Sequence, residues 1–97
     1  MANHNIFTYG QLEYLLRELG YHPAPSAVEG HVWKYPEFDA IQYLPNVPET
    51  KTAPSYELIT IRKVSVEKGI IEAEDFETLL DRVRQQTTIM PASLDVA

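Results

Sequence analysis

The segment "TYGQLEYLLRELG", Thr8 to Gly20, constrains the chain most, because it holds a helix start, one apolar face and a helix stop in a single run. Thr8 and Gln11 have the Thr-x-x-Gln spacing of a capping box, in which hydroxyl and amide satisfy two backbone donors that a helix start leaves open. Such a cap contributes about 1 kcal/mol. Leu12, Leu15, Leu16 and Leu19 then recur at i, i+3, i+4 and i+7, an apolar stripe facing a core. Gly20 closes the helix, since glycine enters the left-handed conformation at a stop without a steric penalty.

The next stretch, "YHPAPSAVEG", carries two prolines, which lack a ladder donor, so any strand here is an edge strand or an irregular one. "HVWKYP" and "DAIQYLP" alternate around "EF" at a turn and read as an antiparallel hairpin. On the first strand His31, Trp33 and Tyr35 share one side, and Val32 and Lys34 the other. On the return strand Ile41 and Tyr43 share a side. Burying large aromatics removes the most apolar area from water, so Trp33, Tyr35, Ile41 and Tyr43 are expected to lie against the helices.

"PNVPETKTAPS" has three prolines and reads as a loop or semi-rigid connector. "SYELITIRKVSVEKGII" points two ways. Its β-branched Ile59, Thr60, Ile61, Val64 and Val66 favour a strand by propensity. Ser55 as a cap after Pro54, Leu58, Ile61 and Ser65 along one face, and "EKG" as a stop favour a helix, and the helix is chosen. After a break at "GII", Phe76, Leu79, Leu80 and Val83 repeat the i, i+3, i+4, i+7 stripe and predict a further helix. "TTIMPASLDVA" has no periodicity and is expected to form a loose tail or a segment that docks on another copy.

With 97 residues there is room for one compact domain. No run approaches the roughly 20 apolar residues of a membrane helix. The opening residues lack a signal-peptide pattern and no cysteine is present, so the expected setting is the cytoplasm, with no membrane partner. The formal charge is −6, and residues 1 to 50 hold only Arg17 and Lys34 against six acidic side chains. A nonspecific nucleic-acid binder places Lys and Arg against phosphates. No such cluster stands out in this sequence, although Arg62, Lys63 and Lys68 are close enough in the chain to form a small basic face.

Motifs for chemistry are few. His4, His22 and His31 have no second histidine at metal-ligand spacing, no His-Glu-x-x-His occurs, and no cofactor or metal is expected. No phosphate-cradling glycine loop or Gly-x-Ser-x-Gly is present. Glu72, Glu74, Asp75 and Glu77 read as dipole-complementing, solvated carboxylates of a first helical turn rather than a paired-carboxylate site. His31 stands apart: near neutral pH an exposed imidazole beside phosphate-holding cations can act as general base on a ribose 2′-hydroxyl. The competing role is a packed or simply hydrogen-bonded group sharing the face of Trp33 and Tyr35.

In order and spacing the chain resembles the HicA or YcfA-like family, from about Thr8 to Leu80. The residues that carry the likeness are "LLRELGY" at the first helix stop, "HVWKYP" where the family has a histidine-bearing strand, "LP" closing the next strand, and "LITIRKVSVEKGIIEAEDFETLL". The resemblance implies an α+β fold of double-stranded-RNA-binding-domain type, ordered α-β-β-(β)-α-α, with a small antiparallel sheet packed on helices. It also implies mRNA cleavage and an antitoxin partner. The family reads Gly-Ser-His ahead of its strand, often with a second His. If Trp33 takes the aromatic position, Gly30 stands in the catalytic place and His31 in that of the second histidine. A one-residue shift turns a side chain to the other face of a sheet.

The expected organisation is an N-terminal segment 1–7, one HicA-like domain 8–85 and a tail 86–97. The leading expectation is a non-catalytic binding or regulatory module, with a homodimer among its expected states. It would contact its partner through exposed hairpin aromatics, with Trp33, Tyr35 and Tyr43 as candidates, or through the proline-rich loop. The alternative is an mRNA interferase with His31 as general acid/base and Lys34, Arg62 and Lys63 on phosphates. RNA binding without catalysis lies between them.

Overall fold

The capping box at Thr8 is formed. The Thr8 backbone N–H donates to Gln11 Oε1 at 2.8 Å and the Gln11 N–H donates to Thr8 Oγ1 at 3.2 Å. From that start the chain runs β1 (Phe7–Thr8), α1 (Tyr9–Leu19), β2 (His22–Ala24), β3 (His31–Tyr35), β4 (Ala40–Leu44), β5 (Thr52–Ala53), α2 (Ser55–Glu67) and α3 (Ala73–Val96). A computed structural model describes residues 6–25 and 31–96, the last nine as helix backbone. The architecture is α+β: three helices, a three-stranded antiparallel sheet of order β2-β3-β4, and a separate β1-β5 ribbon. No described helix is long and apolar enough to cross a membrane.

Leu12, Leu15, Leu16 and Leu19 are all buried, as their spacing requires. Gly20 ends α1 at φ 110°, and a Cβ there would stand 2.6 Å from the Tyr35 ring, so both its backbone angle and its lack of a side chain are used. α2 is helical despite its β-branched content. Leu58, Ile61 and Ser65 are its buried residues, and the Ser65 hydroxyl lies 3.1 Å from the buried Tyr21 hydroxyl. Tertiary burial of that face outweighs local propensity. The capping residue is Pro54 rather than Ser55, which occupies the first helical position. The α3 stripe Phe76, Leu79, Leu80 and Val83 closes the core.

Pro23 sits in β2, an edge strand, where its missing donor does no harm. The hairpin β3-β4 turns through a 3-10 segment at Pro36–Phe38, with Asp39 left-handed at φ 53°. That turn sets a register in which Tyr35 opposes Ala40, Trp33 opposes Gln42 and His31 opposes Leu44. Trp33 is buried at 2% exposure and Tyr35 is half-buried, as expected for β3. The return strand has the opposite phase from the one expected. Ala40, Gln42 and Leu44 face inward, while Ile41 and Tyr43 are 42% and 66% exposed. Side-chain size favoured the aromatics inside, but the turn fixes which residues oppose Trp33, and those share its face.

Phe7, assigned to an outlying segment, is 1% exposed in the core, and its ribbon pairs with Thr52–Ala53 inside the proline-rich stretch read as a connector. α3 runs on to Val96, over positions where the sequence pattern predicts a loose tail. Thr87 accepts from Gln11 Nε2 at 2.8 Å, tying the end of the packed unit to the start of α1.

Candidate functional site

His31 opens β3 on the inward side of the sheet, where the strand meets the flank of α1. Glu13 lies on that flank beside the leucine stripe, and its Oε2 is 2.7 Å from His31 Nδ1. The carboxylate side chain is 11% exposed and the imidazole 44%. An ionised carboxylate only accepts hydrogen bonds, so Nδ1 carries the proton, and in the neutral ring the lone pair resides on Nε2. The contact therefore fixes the imidazole's tautomer and orientation.

One turn further along α1, Arg17 stands over the Trp33 indole, its guanidinium carbon 5.0 Å from the ring centroid, a cation–π contact. Glu13, Arg17, His31 and Trp33, with Pro23, Ala24 and Val32, line an open hollow of about 230 Å³. This arrangement holds the elements of acid–base chemistry: a ring nitrogen to take a proton, a carboxylate to orient the ring, and one cation. Its charge is balanced, because Glu13 offsets Arg17.

The other expected site residues are not gathered around His31. Lys34 projects from the opposite face of β3, in the same row as Ile41. Arg62 and Lys63 lie on α2, where Arg62 Nε is 3.1 Å from Glu77 Oε2 and Lys63 Nζ is 4.0 Å from Glu67 Oε2. Trp33, expected among the partner-contact residues, is buried at 2% exposure. Tyr43 is open to contact, and Tyr35 is half-buried against Gly20, Tyr21 and Phe38. Gly30 and His4 fall outside the described residues, and His22 is exposed in β2. Among the described residues no group of three or more His, Cys, Asp or Glu side chains is placed to hold a metal ion. Of the acidic run before and within the first turns of α3, Glu77 serves as the ion-pair partner of Arg62.

Two residues of this hollow are not among the candidates that the sequence suggests, Glu13 and Arg17. Their i, i+4 spacing beside a leucine stripe was the available signal, since it puts both on one flank of the helix. Elsewhere, the Tyr9 phenol is pushed up to about 12 by burial and by its hydrogen bond to the Glu57 carboxylate, 2.9 Å away. It stays neutral at physiological pH and links the first turns of α1 and α2.

Compared with known proteins, the chain matches no family model, no curated protein and no solved structure.

Proposed function

We propose that the chain is a cytoplasmic, non-catalytic binding module on a HicA-like frame. The order of α1, the three sheet strands, α2 and α3 is the one that the resemblance implies. The observation that carries the proposal is the dispersal of the cations. Lys34 is on the outer sheet face, Arg62 and Lys63 stand on α2 beside Glu77 and Glu67, away from His31, and the one cation beside His31 is offset by Glu13. A phosphodiester entering the hollow would gain little attraction, whereas RNA affinity scales with the number of phosphate contacts. In this role the His31–Glu13 bond clasps the start of β3 to α1, and the exposed Ile41 and Tyr43 offer contact area to a partner.

Incubating the purified chain with labelled mRNA, and inducing it in a bacterial host, tests this directly. Intact RNA and undisturbed growth are expected. Growth arrest that disappears with His31→Ala would refute the module.

A second function, an mRNA interferase paired with an antitoxin-like protein, is favoured by one observation: the imidazole is oriented by a carboxylate, which leaves its second nitrogen for proton transfer, and Arg17 shares the hollow. RNA binding without cleavage would show as affinity that falls steeply between low and high salt. Absence of binding even at low salt removes both RNA-directed functions.

A further inference from the structure

The two edges of the three-stranded sheet are built differently. β2 is three residues long and carries Pro23, both of which blunt an edge. β4 is the five-residue strand Ala40-Ile41-Gln42-Tyr43-Leu44, with no charge, proline or glycine, and no described strand pairs with its outer side. Proteins ordinarily guard such an edge with lysine, proline or a bulge, because unpaired N–H and C=O groups template the addition of another strand. Two side chains of β4 are also open to contact, Ile41 at 42% and Tyr43 at 66% exposure.

We propose that β4 pairs antiparallel with β4 of a second copy of this chain, about a two-fold axis through Gln42, to make one continuous six-stranded sheet. The strand is self-complementary about its centre. Gln42 comes opposite the Gln42 of the second copy at the centre of the ladder, with both side chains turned inward. On the outer face Ile41 opposes Tyr43 of the second copy, twice over, an aromatic–β-branched pairing that stabilises antiparallel ladders. Charge favours this edge as the meeting point. Two chains of charge −6 repel, and β4 places no charge at the contact. A five-residue ladder buries less than the roughly 800 Å² per partner of a standard interface, so the dimer is reversible and its population rises with concentration.

The pairing deepens the binding-module proposal by naming the partner, and it rests on that proposal only in using the outer hairpin face for contact. RNA cleavage assays decide the one and solution mass the other, so either can fail alone. Sedimentation equilibrium of the full chain over a wide concentration range is expected to show a rise from one chain mass toward two. Added salt should strengthen the association, since it screens the like charges. Tyr43→Lys, at an exposed position, is expected to hold the chain monomeric with an unchanged melting temperature. Adding Ile41→Glu should restore the dimer, because the register sets position 41 of one copy against position 43 of the other and so faces each new carboxylate with a new ammonium. Ile59→Lys, on the outside of α2, should leave the dimer intact. A single chain mass at every concentration overturns the proposal, as does a dimer that survives Tyr43→Lys or is lost with Ile59→Lys. Failure of the double variant to restore association overturns the two-fold register.

Discussion

Helices α1 and α2 solve the same packing problem with different means. α1 is apolar on one face only, begins with a reciprocal side-chain cap, and stops at a glycine pressed against the Tyr35 ring. α2 is apolar on two sides, with Leu58 and Ile61 buried inside and Tyr56 and Ile59 at 64% and 58% exposure outside. It begins at Pro54 without a side-chain cap, and its cap at Lys68 is followed by Gly69, where φ is 82° and nothing lies within 4 Å of an added Cβ. α1 thus carries its cap, its apolar face and its stop in its own sequence, whereas α2 depends on what it packs against. That difference separates positions where a substitution is felt from positions where it is tolerated.

The largest test of the contrast is Leu16→Ala in α1 against Ile59→Ala in α2. Leu16 is fully enclosed, and its truncation should cost about 2–5 kcal/mol. Ile59 is exposed, so its truncation should stay within about 0.5 kcal/mol in chemical denaturation. Equal losses would mean that the outer side of α2 is covered in solution.

Next come the two stops. Gly20→Ala combines left-handed strain, about 1–2 kcal/mol, with a clash against Tyr35 in the range of about 1–3 kcal/mol. Gly69→Ala meets strain alone, so only the first of these costs applies. Adding Tyr35→Ala should narrow the gap between the two glycine variants, since it removes the obstruction at one of them.

The smallest effect falls where the helices meet. The Tyr9 phenol, raised in the folded protein to about 12 from its ordinary value of 10, favours the fold fully below pH 10 and loses that contribution as pH rises toward 12. Tyr9→Phe should lower stability by about 1 kcal/mol at neutral pH and flatten this alkaline limb. An unchanged limb, followed by unfolding at stepped pH, would place the alkaline transition elsewhere.

Much of the fold was legible because it is written in short-range patterns. The stripes of α1 and α3 could be read off directly, and the prolines around β2 limited it to an edge or irregular strand. α2 could be resolved through its Leu58–Ile61–Ser65 face and its stop, against its β-branched content. The phase of β4 could not. Whether Gln42 or Tyr43 faces inward depends on how Pro36 to Asp39 turn, and volume alone argues for the wrong one. β1 and β5 are two residues each, too short to show a period. Glu13 and His31 are 18 positions apart, and a contact at that separation leaves no periodic trace. His31 could be singled out as the side chain to watch, while its carboxylate partner and Arg17 became visible only once α1 and β3 were set side by side.

Gln11 uses both ends of its amide, the oxygen on the Thr8 backbone and the nitrogen on Thr87. The first turn of the opening helix and a late turn of the closing one are thereby fastened by a single side chain, across 76 positions of sequence. Losing Thr87 would leave the Gln11 amide nitrogen without that acceptor, while the Tyr9 and Gly10 amides keep their bonds to Lys51 and Glu49, so a chain cut just ahead of Thr87 should raise deuterium exchange in the first turn of α1 only modestly.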